Sequence, residues 1–132
     1  MRKIEKEIAN KIKEAIVTGS INGKRQVRLT KRDLVGIDSL GQPYYQLWGT
    51  KIAQFEVDED PDSTSVKALV RSGGYETNTT KSRLNAIGRH LTNNAFRVHQ
   101  ENFNWYITLR DSNTGAITRK DFDEVHTVEF SI

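Results

Sequence analysis

The chain has 132 residues, 36% hydrophobic and 28% charged, with no cysteine and a formal net charge of +3. Such a composition suits one globular domain with a single core, and it excludes a disordered chain, a disulfide scaffold, thiol catalysis and a Cys-ligated zinc site. No apolar run approaches the roughly 20 residues needed to cross a bilayer, so no membrane partner is expected.

In chain order, residues 2–17 carry Ile4, Ile8, Ile12, Ala15 and Ile16 at helical spacing, which predicts an amphipathic N-terminal helix stopped at Gly19. The basic start lacks an apolar signal region, so a cytoplasmic location is expected. Residues 24–37 alternate as a half-buried strand, and 44–57 read as a long strand or a bent pair with a kink at Gly49. The polar segment DEDPDSTS is a connection, and the strand after it runs to Gly73-Gly74. A second helix is predicted over about 80–91, with Leu84, Ile87 and Leu91 on one side, packed on Val27, Leu29, Ile52 and Trp105. The remainder reads as one or two strands, an SNTG turn and a final strand region. Two helices around an antiparallel sheet of about five to six strands make one α+β domain over residues 1–132.

Charge is unevenly placed. Residues 56–63 hold five acids and no base, whereas residues 64–110 hold seven bases against two acids. Segregation of this kind can give a nearly neutral chain a strongly basic face. The spacing of Asp58, Asp60 and Asp62 resembles a calcium loop, but Ser63 and Leu69 stand where such a loop needs Gly and Glu, so no metal is expected. His90, His99 and His126 form no ligand pattern, and no nucleophile elbow, Walker or dinucleotide motif is present. Asp121, Asp123 and Glu124 near His126 fit a solvated strand face. No catalytic residue and no cofactor are therefore expected.

The stretch GGYETNTTKSRLNAIGRH poses a specific question. A helix start carries partial positive charge, yet Lys81 and Arg83 stand there with no acid in that turn. With Thr79 or Thr80 as the cap, free backbone N–H groups plus Lys81 and Arg83 form an anion site, extended by Arg89. Lys24, Arg25 and Arg28 supply a second basic stretch on the first strand. Exposed members of the set Tyr44, Tyr45, Trp48, Phe103, Trp105 and Tyr106 offer rings on which bases stack.

The ordered pieces NGKRQVRLT, YYQLWGTKIAQF, GGYETNTTKSRLNAI and NWYITL resemble a group of small bacteriophage proteins. The shared positions include Asn22, Gly23, Lys24, Trp48, Gly49, Thr50, Ile52, Ala53, Tyr75, Thr77, Thr79, Thr80, Lys81, Leu84, Asn85 and Trp105. The likeness runs over about residues 20–107 and departs in the acidic connection and in the tail after 110. It implies a phage accessory protein in the bacterial cytoplasm and carries no activity with it. Two functions are expected to compete: non-catalytic binding of nucleic acid or a nucleotide, and binding of a host bacterial protein in counter-defence or host takeover.

Overall fold

A computed structural model describes residues 3–132; the expected helix start at residue 2 lies outside them. The first helix, α1, is Lys3–Thr18 and buries Ile8, Ala9, Ile12, Ala15 and Ile16, the stripe its spacing predicts. It ends where Gly19, at φ 75°, donates to the Ala15 carbonyl at 2.9 Å.

The single strand expected over 24–37 is instead a hairpin of β1 (Gln26–Arg28) and β2 (Asp33–Ile37). The cause is Thr30, whose hydroxyl accepts the N–H groups of Arg32 and Asp33 at 3.0 and 3.1 Å and folds the chain back. Residues 44–57 resolve into the bent pair, β3 (Pro43–Leu47) and β4 (Thr50–Val57). Their two-residue turn is Trp48-Gly49, with φ of 51° and 80°. Positive φ at both central residues is the type I′ turn, whose twist suits a hairpin.

After β5 (Ser65–Val70), α2 runs over Asn78–His90, starting two residues before the predicted helix and ending one before it. Strands β6 (Phe96–Glu101), β7 (Asn104–Arg110), β8 (Ile117–Asp121) and β9 (His126–Ser131) complete the chain. The fold is α+β and wholly antiparallel. A six-stranded sheet has the order β1-β2-β3-β4-β5-β9, and a separate three-stranded sheet is β6-β7-β8. The expected five to six strands match the larger sheet; the smaller one is additional, because β8 and β9, read together as one final strand region, join different sheets.

Helix α1 packs on α2, β2 and β3, and α2 packs on β6. Leu84, Ile87, Leu91, Ile52 and Trp105 share the buried core, while Val27 and Leu29 are half-buried against it. Asn85 fixes α2 to the free edge of β6. Its side chain donates to the Val98 carbonyl at 2.8 Å and accepts the Val98 N–H at 2.7 Å. That contact satisfies the open backbone groups of Val98 on an edge strand, and with Gly88 against Phe96 it shows α2 running antiparallel to β6.

Candidate functional site

The start of α2 is built by Thr77. Its backbone is extended (φ −116°, ψ 162°), and its hydroxyl accepts the Thr80 N–H at 3.2 Å. Thr77, rather than the expected Thr79 or Thr80, is therefore the N-cap. Thr80 is fully buried and its hydroxyl meets that of Thr77 at 3.1 Å, so it is spent inside the fold. Thr79 stays half-buried at the surface, on the wall of a cavity.

Arg83 overturns its expected role. It is fully buried, with Nε donating to Asp33 Oδ1 at 2.9 Å. Asp33 is also fully buried; it accepts the Tyr45 hydroxyl on Oδ1 and the Thr30 hydroxyl on Oδ2, the latter at 2.6 Å. Burial pushes the Asp33 carboxyl up, but the hydrogen bonds from Arg83, Thr30 and Tyr45 outweigh it and hold its pKa below the ordinary value. Burial, with the Asp33 charge behind it, raises the Tyr45 phenol far above its usual value. Glu5 Oε1 of α1 lies 4.0 Å from Arg83 Nη1. The Arg83 charge is thus committed to an internal carboxylate and is not offered to an outside anion.

Around the helix start, Leu47, Ile52, Trp48, Tyr75, Thr77, Thr79 and Thr80 line a cavity of about 290 Å³. Trp48 is 59% exposed and Tyr75 55%, so two rings form the rim of a largely apolar hollow. The Trp48 N–H donates to the Arg32 carbonyl at 2.8 Å. That bond sets the basic turn Arg28–Arg32 beside the Trp48 turn. Lys81, in the first turn of α2, holds its ammonium 6.0 Å from the centre of the Trp105 ring. The N–H groups of Asn78 and Thr79 belong to the first helical turn, where no intrahelical acceptor exists. The lining itself carries no charge; Lys81 and the Arg28–Arg32 turn supply cations at that end of the molecule, and Glu76 is an exposed acid beside Tyr75. Chemically, the arrangement suits a flat ring bearing an anionic group.

A family model described as Kyanoviridae Gp96 protein matches residues 1–129. The chain belongs to that family. No curated protein and no solved structure matches it. Kyanoviridae Gp96 is a bacteriophage family, so the resemblance to small phage proteins holds at that level. No helix among the described residues of this Gp96 chain is long and apolar enough to cross a membrane.

Of the residues singled out from the sequence, the fold brings Thr79, Lys81 and Arg28 to the hollow's end of the molecule. Arg83 is withdrawn into the core, while Thr80, though buried, borders the hollow. Arg89 is exposed in the last turn of α2, at the opposite end of that helix. Lys24 and Arg25 are exposed near the far end of β1, where Arg25 donates to the Asp38 carbonyl. Sequence reasoning missed Tyr75 as a member of the site. The available signal was the aromatic Trp48 directly before Gly49, a place where a hairpin ordinarily carries Asn.

Proposed function

We propose that this phage protein binds a nucleotide or single-stranded nucleic acid without catalysing a reaction on it. The observation that supports this reading is the pair of exposed rings, Trp48 and Tyr75, on a hollow flanked by Lys81 and the Arg28–Arg32 turn. A base stacks on an aromatic face whatever its identity, and the flanking cations meet its phosphate. The reading is non-catalytic because no nucleophile elbow, Walker or dinucleotide motif points to a reaction. The setting is the cytoplasm of an infected bacterium.

The test is Trp48 fluorescence in low salt during titration with nucleoside monophosphates and with single- and double-stranded DNA and RNA. Tyr75→Ala is expected to weaken binding by roughly 5- to 150-fold, the range of about 1–3 kcal/mol for one stacking contact. Lys81→Glu combined with Arg32→Glu is expected to abolish binding while leaving the melting temperature near that of the wild type. The reading fails if no nucleotide or strand binds.

A host bacterial protein as partner is favoured by one further observation. Phe103 is 92% exposed at the two-residue turn between β6 and β7. Because α2 runs antiparallel to β6, that turn lies at the same end as Trp48 and Tyr75. Clustered aromatics are the usual anchors of protein interfaces. Capture from bacterial lysate that survives nuclease and high salt, and that Phe103→Ser removes, would support this second reading.

A further inference from the structure

At the far end of α2, Arg89 meets two arginines from the small sheet. Arg97 lies on β6 and Arg110 ends β7, and with Asn85, Asn94 and Thr108 the three line a cleft of about 260 Å³. No acidic side chain lines it. Among the described residues, none of the three arginines has a carboxylate partner, since the ion pairs are Lys11–Glu14, Arg83–Glu5, Arg83–Asp33 and Arg119–Glu101. Arg110 donates to the Asn93 carbonyl at 2.6 Å, which fixes its side chain across the cleft mouth. The nearby carboxylate of Asp111 is occupied in its own turn, accepting the N–H groups of Asn113 and Thr114.

Like charges gathered without acids repel one another, and a phosphate relieves that repulsion through forked hydrogen bonds from guanidinium groups. His99, two residues along β6 on the same face as Arg97, reports the local field. Burial lowers its pKa first, and the charges of Arg119 and Arg97 lower it further. Helix α2 itself contains no carboxylate, and the acid that shares the β6 face of Arg97 and His99, Glu101, is paired with Arg119 at 2.8 Å. Lys81, Asn85 and Arg89 follow at four-residue intervals and form one polar stripe along the helix.

We propose that Arg89, Arg97 and Arg110 form a backbone-phosphate site, so that the ligand is a single strand lying along α2 rather than a lone nucleotide. This rests on the reading of the Trp48–Tyr75 hollow as the base site. Ten residues separate Thr79 from Arg89, roughly 15 Å of helix at about 1.5 Å per residue. That span corresponds to roughly four phosphates at the stacked spacing of about 3.4 Å per strand. One strand therefore reaches both ends, and the two contacts reinforce each other by holding the second at high effective concentration.

The experiment compares a nucleoside monophosphate with homopyrimidine strands of increasing length, using the whole protein. The variants are Arg89→Gln/Arg97→Gln and the same pair with Arg110→Gln. The double variant changes exposed side chains that hold no other group, so its melting curve should match the wild type. Wild-type affinity should rise at least tenfold once the strand spans α2. Both variants should lose that rise yet bind the monophosphate unchanged. The salt slope for the long strand should fall by about 2 in the triple variant, from about 0.7 per lost phosphate contact. An unchanged slope and length dependence in both variants would overturn the proposal, as would a wild type indifferent to strand length. If long strands bind through the arginines while the monophosphate does not bind, the hollow's reading fails and the arginine site stands. If no strand binds at all, both fall.

Discussion

Arg83 of α2 and Asp33 of β2 lie 50 residues apart and meet as a fully buried ion pair, Nε to Oδ1 at 2.9 Å. The contact joins the middle of α2 to the first residue of β2, at the strand end that carries the Arg28–Arg32 turn. It therefore sets the position of the helix relative to the Trp48 turn, and with it the width of the hollow. A guanidinium in a core is costly unless each donor finds a partner. Here Nη1 has no hydrogen bond and only the Glu5 carboxylate at 4.0 Å, so the pair is incompletely satisfied.

Removing one partner should accordingly be costly, because the other is left buried and unpaired. Arg83→Met leaves Asp33 buried and uncompensated, and is expected to destabilise the fold by about 3–5 kcal/mol. Asp33→Asn should do the same to Arg83, although Asn still accepts from Tyr45 and Thr30. The double variant should lose less than the sum of the two, by roughly 0.5–3 kcal/mol. Urea unfolding of all four proteins measures this, and strict additivity would mean that the two charges are not coupled.

Stability should fall with acid in two windows. Asp33 has a folded pKa below its unfolded value, so its contribution is complete above the ordinary carboxylate value of about 3.9 and is lost as pH falls through the folded value. His99 also has a depressed folded pKa, so below about pH 6.5 the unfolded chain takes up a proton that the folded one resists. A shallow loss should therefore begin near pH 6.5 and a steeper one below about pH 4. His99→Gln should remove the first and Asp33→Asn should flatten the second. Melting temperatures recorded across the acid range decide this, and a limb unaffected by its variant would show that another group carries it.

Both helices were legible in the sequence because their apolar spacing is regular, and Ile8, Ile12, Leu84 and Ile87 are all fully buried. Arg83 was not legible. It falls beside Leu84 at the edge of the buried stripe, and only a partner from another element decides whether such a residue turns in or out. The clue was Asp33, which shares one face of β2 with Val35 and Ile37 and so puts a carboxylate at an inward position. The division into two sheets was equally hidden. Every residue of β8 is exposed, so no alternation marks it as a strand, and pairing is set by long-range contacts that periodicity does not encode. The hollow's residues Trp48, Tyr75 and Thr79 come from two separate turns and one helix start, brought together as the Arg83–Asp33 contact ties α2 to β2 beside the Trp48 turn.

Gly88 should resist replacement although it lies inside a helix. Alanine there would ordinarily add about 0.8–1 kcal/mol through helix propensity. A Cβ at this position, however, would lie 2.5 Å from the Phe96 carbonyl oxygen, a backbone atom that cannot swing aside. Gly88→Ala should instead destabilise by about 1–3 kcal/mol by prising α2 from β6. Faster hydrogen exchange at the Val98 amide, whose partner is Asn85, would locate the damage. A stabilised variant would show that the two elements separate easily.

On the proposed reading, Trp48 sets stability against binding in a single side chain. Its φ of 51° is a left-handed backbone conformation that a bulky residue adopts only at a cost, and Asn at the same place in a type I′ turn adopts it readily. Trp48→Asn should therefore raise stability by about 1 kcal/mol, since the ring is mostly exposed and little packing is lost. It should also weaken nucleotide and single-strand binding by roughly 5- to 150-fold, because the stacking face is gone. Thermal melts and fluorescence anisotropy on the same preparation read both effects. Higher stability with unchanged binding would remove the hollow from the site. Lower stability would mean that the ring supports the turn by packing and is not there for a ligand. Higher stability with binding lost would identify a strained residue kept for its contact with the ligand.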